Sequence, residues 1–248
     1  MPGEFRQILG IRFYVGGLEG LLNRVAGGGL IVVPSAPVLA NLPFDPAHRA
    51  ALLGSDFAIT DSGYMILLWA VLKGERLRRI SGLRLLRGLL GRPEFRAAGA
   101  TFWVMPSAAD ARTNLAWLDR QGVAAGPEAC YEAPLYPPGA LEDEALLAAI
   151  EARRPRYVVL GVGGGVQERL GYFLRQRLSY RPAILCTGAA IAFLSGQQVR
   201  IPVWADRLVL GWLFRILSDP VTFVPRFWRS IRLAWLLWRY GEQAPPPA

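Results

Sequence analysis

Five short apolar runs recur along this chain: Leu-Ile-Val-Val at 30–33, Phe-Ala-Ile at 57–59, Phe-Trp-Val-Met at 102–105, Tyr-Val-Val-Leu at 157–160 and Ala-Ile-Leu-Cys at 183–186. Longer segments with helical apolar spacing separate them. Runs this short and this apolar suit strands buried on both faces, and only a crossover of helical length can lay the next strand parallel to the last. The alternation therefore predicts an α/β fold, a mostly parallel sheet with helices on both faces. Residues 110–121, closed by Gly122, and 141–154, ended by Pro155, read as two of the covering helices.

In such sheets ligands collect beyond the carboxyl ends of the strands. Here those ends read Pro34-Ser35-Ala36-Pro37, Thr60-Asp61-Ser62-Gly63, Pro106-Ser107, Gly161-Val162-Gly163-Gly164-Gly165 and Thr187-Gly188. Small, polar and turn-forming residues dominate all of them.

A chain of 248 residues supports one principal core with an appendage. We divide it into a main domain at 1–200, a basic and aromatic helical appendage at 201–242 and a disordered end at 243–248 around Pro245, Pro246 and Pro247. The 52% apolar and 19% charged content implies that some apolar surface faces a membrane or a partner. The net charge of +9 is concentrated at 73–96 and 200–239, favouring anionic, phosphate-bearing partners.

The appendage holds Trp204, Trp212, Trp228, Trp235 and Trp238. On a wheel of about 100° per residue, Phe227, Trp228, Ile231, Ala234, Trp235 and Trp238 share one face. Arg226, Arg229, Arg232 and Arg239 occupy the opposite arc, with leucines among them. Four arginines make a membrane-spanning helix too costly; a helix lying in the lipid interface suits the pattern, and a core-packing helix with a solvated basic face is the alternative.

Other chemistries find little support. Cys130 and Cys186 form no metal-ligand or disulfide spacing, and no secretory leader is expected. The sole histidine, His48, reads as a surface residue at a helix start, which disfavours a histidine-based triad. The Gly161–Val166 stretch keeps only the first part of a dinucleotide fingerprint, since Val166 replaces its third small residue and Arg181 stands where an acid belongs. Its glycines can still bring bare backbone close to a diphosphate.

Asp61, following an apolar strand, is either a general base facing the ligand crevice or an ordinary N-cap of the helix at 64–72. Gln167 and Glu168 either address a nucleotide or form the first turn of a helix, where Glu suits the dipole.

In order, these motifs resemble the WecG/TagA/CpsF glycosyltransferases from about residue 10 to 227. The resemblance rests on Val32-Val33-Pro34-Ser35, Asp61-Ser62-Gly63, Arg79-Ile80-Ser81-Gly82, Gly161-Val162-Gly163-Gly164-Gly165-Val166-Gln167-Glu168, Gly188-Ala189 with Phe193-Leu194-Ser195-Gly196, and Arg200-Ile201-Pro202 with Trp204 and Leu210-Gly211-Trp212-Leu213-Phe214-Arg215. It implies a Rossmann-like fold and inverting transfer from a UDP-sugar without metal or cofactor. The implied acceptor is a polyprenyl-diphosphate-linked sugar used in surface polysaccharide or teichoic acid synthesis.

On that resemblance Asp61 is the catalytic base. Gly161, Gly163, Gln167 and Glu168 contact nucleotide or diphosphate; Ser35, Ser62, Arg79 and Ser81 line the sugar pocket. Arg215, Arg226, Arg229, Trp228 and Trp235 meet lipid diphosphate and membrane. The protein would work peripherally on the cytoplasmic face of a bacterial membrane, with no nucleic-acid partner, and a homo-oligomer is allowed. The sequence departs from the family at Val33, Ser35, Pro106-Ser107, Arg84, Ala192 and Gly211, so the donor sugar is left open. A non-catalytic nucleotide-sugar or lipid-diphosphate binding protein is the rival reading.

Overall fold

The computed structural model describes residues 3–197, 228 and 230–248. Its eight strands are β1 (Phe5–Ile8), β2 (Ile11–Tyr14), β3 (Gly29–Val32), β4 (Phe57–Ile59), β5 (Thr101–Met105), β6 (Cys130–Glu132), β7 (Tyr157–Leu160) and β8 (Ala183–Cys186). They form one sheet in the order β1-β2-β4-β3-β8-β7-β5-β6. Only β1 runs antiparallel to its neighbour. The central strands β3, β7 and β8 are buried along their whole length, as their unbroken apolar sequences require.

The helices are α1 (Leu18–Val25), α2 (Ala36–Ala40), α3 (Pro46–Leu53), α4 (Gly63–Lys73), α5 (Gly82–Leu90), α6 (Pro93–Arg96), α7 (Ala108–Arg120), α8 (Glu144–Arg153), α9 (Val166–Arg177), α10 (Ala190–Ser195) and α11 (Arg232–Tyr240). Strand side chains alternate between two cores. Leu30, Val32, Val158 and Leu160 meet α2, α3, α4, α8, α9 and α11 on one face. Ile31, Val33, Tyr157 and Val159 meet α1, α5, α6, α7 and α10 on the other. The expected covering helices start slightly earlier or later than the sequence suggested because Ser107 and Asp143 cap them, accepting from the Asp110 and Leu146 amides.

The sequence reading missed β1, β2 and β6. The β1–β2 hairpin turns on Leu9 and Gly10, both with positive φ (51° and 78°), without the Asn-Gly signal that usually marks such a turn. Leu9 is fully buried, and the Leu9 and Gly10 amides donate to the carbonyls of Gly241 and Glu242 at 2.9 and 2.8 Å. The chain's far end thus holds a turn that local sequence alone does not favour.

That contact corrects the expectation for 243–248. The Pro-rich end is seated on the domain: Arg49 donates to the Pro245 carbonyl at 2.7 Å and the Ala248 amide to Pro43 at 2.9 Å. Long-range hydrogen bonds supply what composition could not reveal. The boundary drawn at 200/201 lies outside the described residues. Past it, α11 joins the main core through Leu233, Leu236 and Leu237, packing on α2 and α4. Its leucines face inward, while Trp228, Ile231, Trp235 and Trp238 are exposed. Among the described residues no helix is long and apolar enough to cross a membrane.

His48 also departs from expectation: it is buried on α3, not on the surface. Burial holds its imidazole down to about 4, opposed by Asp45 and assisted by the Arg169 charge. Asp45 uses its carboxylate to cap α3 through the His48 amide, so the sequence at 45–48 does start a helix, with the ring turned inward.

Candidate active site at the strand ends

The adjacent strands β3 and β8 lead into helices on opposite faces, α2 on one and α10 on the other. Their carboxyl ends therefore mark a topological switch point, the position where a ligand crevice is expected in doubly wound sheets.

Asp61 lies one residue beyond Thr60 at the end of β4 and is half-buried. The capping duty that competes for it belongs to its neighbour: Ser62 is the N-cap of α4, its hydroxyl accepting from the Met65 amide at 3.2 Å. Asp61 Oδ1 instead accepts from the Gly82 amide at 3.2 Å, at the start of α5. A carboxylate at a helix N-terminus is favoured by the exposed amides and the helix dipole.

The segment between α4 and α5 makes this possible. Glu75 bonds Arg6 of β1 at 2.7 Å and Trp69 at 3.2 Å, anchoring the segment at the sheet edge. It then runs beside the end of β4, where Thr60 Oγ1 donates to the Arg78 carbonyl at 2.6 Å and the Ile80 amide to Thr60 at 3.3 Å. Arg79 Nε donates to the Asp61 carbonyl at 2.8 Å. Ser81 caps α5 by accepting from Arg84 at 3.2 Å. Asp61, Ser62, Arg79 and Ser81 thus lie together at the end of β4 and the start of α5, with Ser62 and Ser81 each accepting a helix-capping bond.

Gly82 packs closely against the neighbouring strand ends. A methyl group there would stand 3.2 Å from Val33 Cγ1 and 3.5 Å from the Thr187 carbonyl, so α5 begins against the ends of both β3 and β8. Two hydroxyls at those ends, Ser35 Oγ and Thr187 Oγ1, are buried without a hydrogen-bond partner among the described residues. An unpaired buried hydroxyl is costly, and a functional role is one of the reasons a fold retains one. Ser35 was anticipated. Thr187 was read as part of a strand end but not as a site residue; its signal was a polar side chain directly after the apolar β8.

The glycine turn after β7 divides into an open mouth and a closed support. Gly163 and Gly164 are exposed, and a side chain at Gly163 or Gly165 would meet nothing within 4 Å. Gly161 is tighter, 3.1 Å from the Val104 carbonyl by the same measure, and packs against β5. Behind the mouth, Gln167 and Glu168 are buried. Gln167 Oε1 accepts from the Gly188 amide at 2.7 Å and its Nε2 donates to Glu168 Oε1 at 2.9 Å. Glu168 Oε2 accepts from the Gly165 amide at 2.6 Å.

These bonds replace the direct nucleotide contacts expected of Glu168, which has no exposed surface, and turn the pair into a brace between the ends of β7 and β8. Gly165, at φ 91°, needs its glycine to make the turn that presents its amide to Glu168. Burial pushes the Glu168 carboxyl above the ordinary carboxylate range, opposed by its bonds to Gln167 and Gly165. Arg169 locks the turn from outside, donating to the carbonyls of Gly165, Pro137 and Gly139.

Arg215, Arg226 and Arg229 lie outside the described residues. Trp228 and Trp235 stand on the α11 side of the molecule and do not enter the β3–β8 crevice. Among the described residues no cluster of His, Cys, Asp and Glu is arranged to hold a metal ion.

The chain is thus an α/β protein with a mostly parallel sheet, and a carboxylate, a glycine turn and two buried hydroxyls stand at its strand ends. More particularly, the pattern of the Glycosyl transferase WecG/TagA/CpsF family matches residues 6–245, nearly the whole chain, and the protein belongs to that family. It is therefore of glycosyltransferase type. A search of curated protein sequences returned no match.

Proposed function

We propose that the protein transfers a sugar, with inversion and without a metal, from a UDP-sugar to a polyprenyl-diphosphate-linked acceptor in surface polysaccharide or teichoic-acid-type synthesis. The observation that carries this reading is the position of Asp61: released from capping by Ser62, and oriented by the Gly82 amide at the strand-end crevice. In this mechanism Asp61 takes the proton of the acceptor hydroxyl as its oxygen bonds to the anomeric carbon. The bond from that carbon to the diphosphate breaks on the opposite side, and UDP leaves with the electron pair.

Charge on the leaving diphosphate would be met by the exposed backbone at Gly163 and Gly164 and by arginines, including Arg79 and, on the family resemblance, Arg215 and Arg226. Positioned cations and amides stabilise such charge without reorganising, which is the work a metal does elsewhere. Ser35 and Thr187 are the hydroxyls available to the donor. The acceptor's lipid carrier places the enzyme on the cytoplasmic surface of the membrane.

Incubation of purified protein with a panel of UDP-sugars and a polyprenyl-diphosphate-sugar in detergent, read by mass spectrometry, tests the reading. An acceptor heavier by one sugar, absent with Asp61→Asn, is expected. Nucleotide binding without product from any donor would make the protein a binding module instead.

A further inference from the structure

The sequence reading assigned lipid contact to the C-terminal helix alone, and the fold adds a second helix beside it. α4 packs along α11, and their ends coincide: a methyl on Gly241, just past α11, would lie 3.1 Å from Lys73 Nζ at the end of α4. The two helices therefore lie side by side with their C-termini together. Met65 and Trp69 of α4 enter the core. The opposite side of α4 is apolar too, with Leu67 62% and Val71 75% exposed and Leu72 partly so.

On and just before the neighbouring α11, Trp228, Ile231, Trp235 and Trp238 are each more than half exposed, as is Phe44, over whose ring the Arg232 guanidinium sits at 5.1 Å. A notch of about 290 Å³ lies among Trp228, Ile231, Arg232 and Trp235. Two packed helices that each leave large apolar side chains exposed offer the kind of surface that marks an interaction site.

The charges around it choose the partner. Neither helix carries an aspartate or glutamate, whereas Lys73, Arg232 and Arg239 stand exposed at its margin. Tryptophans with a cationic border suit the interface of an anionic bilayer, where rings settle at headgroup depth and cations meet lipid phosphate. A protein partner with this complementarity would need an acidic border around an aromatic-binding face.

We infer that α4 and α11 form one docking face for an anionic membrane, with Leu67 and Val71 of α4 entering the bilayer beside the tryptophans. This rests on the proposed transfer to a lipid-linked acceptor and extends it to a geometry. Leu67 and Val71 follow Gly63 at successive helical turns, and Gly63 adjoins Asp61 and Ser62. The same helix thus carries the membrane contact and begins at the catalytic carboxylate, so docking sets the crevice at the lipid surface.

The test is co-sedimentation of the full chain with phosphatidylcholine vesicles, with and without phosphatidylglycerol, for the parent, L67Q/V71Q and L67W. Both positions are exposed, and unchanged thermal melts will establish that the variants fold. Binding to the anionic vesicles should fall by about tenfold or more in L67Q/V71Q and rise in L67W, because apolar burial sets interfacial affinity. Turnover on a short-chain, water-soluble acceptor should be unaffected in both.

Unchanged vesicle affinity in L67Q/V71Q overturns the docking face, whatever the turnover. So does sedimentation of the parent as a dimer that L67Q/V71Q dissociates, which would assign the face to a second copy of this chain. Absence of transfer on every acceptor, with vesicle affinity still lost in L67Q/V71Q, would sink the transferase reading and leave the docking face standing.

Discussion

Asp61 Oδ1 accepts a hydrogen bond from the Gly82 amide at 3.2 Å, tying the end of β4 to the first turn of α5 across a separation of 21 residues. The bond orients the carboxylate while the adjacent Ser62 caps α4. An amide oxygen can replace the carboxylate oxygen in it. Asp61→Asn should therefore keep the fold and UDP affinity, measured by calorimetry, while turnover falls by about a hundredfold to ten-thousandfold, the usual worth of a general base. Retained turnover would remove Asp61 from the mechanism.

Ser35 and Thr187 separate stability from binding. Each hydroxyl is buried and, among the described residues, unpartnered, and such a group costs about 1–3 kcal/mol. Ser35→Ala and Thr187→Val should leave the melting temperature unchanged or raise it. If the hydroxyls bond the donor, its KM should rise by up to about tenfold for each, the scale of one lost hydrogen bond. Donor kinetics identical to the parent's would place them outside the donor pocket.

Gln167 should behave in the opposite way. Gln167→Ala strands the Gly188 amide and removes a donor from the buried Glu168, at about 1–3 kcal/mol for each stranded group. The urea midpoint should drop accordingly. A stability equal to the parent's, with UDP affinity lost, would instead make Gln167 a direct ligand contact.

His48 links stability to acid. Burial keeps its imidazole neutral at pH 7 when folded, with the pKa lowered from the ordinary 6.5 to about 4. Between those values the unfolded chain binds a proton that the folded chain does not, so this contribution is present above about 6.5 and lost as pH falls through 4. The shift corresponds to about 3 kcal/mol. Urea unfolding at pH 7 and pH 4 should show a loss of that order, reduced in His48→Phe. An equal loss in both proteins would assign the acid sensitivity to other groups.

The alternation of short apolar runs with helical spacing was enough to establish the parallel α/β sheet, because a strand buried on both faces must be apolar throughout, and that requirement is written locally. For the same reason Asp61, Ser35 and the glycine turn were legible as strand ends, and the family pattern was carried by contiguous motifs. What the side chains at those ends do was not local. Ser62 relieves Asp61 of its cap only because α5 begins where Gly82 can meet the carboxylate.

The Gln167–Glu168 pair became a brace because β8 lies next to β7 and brings Gly188 within reach. His48 went inward because α3 packs against α9. The leucines of α11 found a core on α2 and α4, leaving its tryptophans outside. Sequence by itself determined the buried parallel strands β3, β4, β5, β7 and β8 and the helical character of the segments between them, through periodicity, whereas β1, β2 and β6 emerged only with their partners in the sheet. Tertiary structure alone decided which polar groups are paired and which apolar faces stay open, since both depend on neighbours distant along the chain.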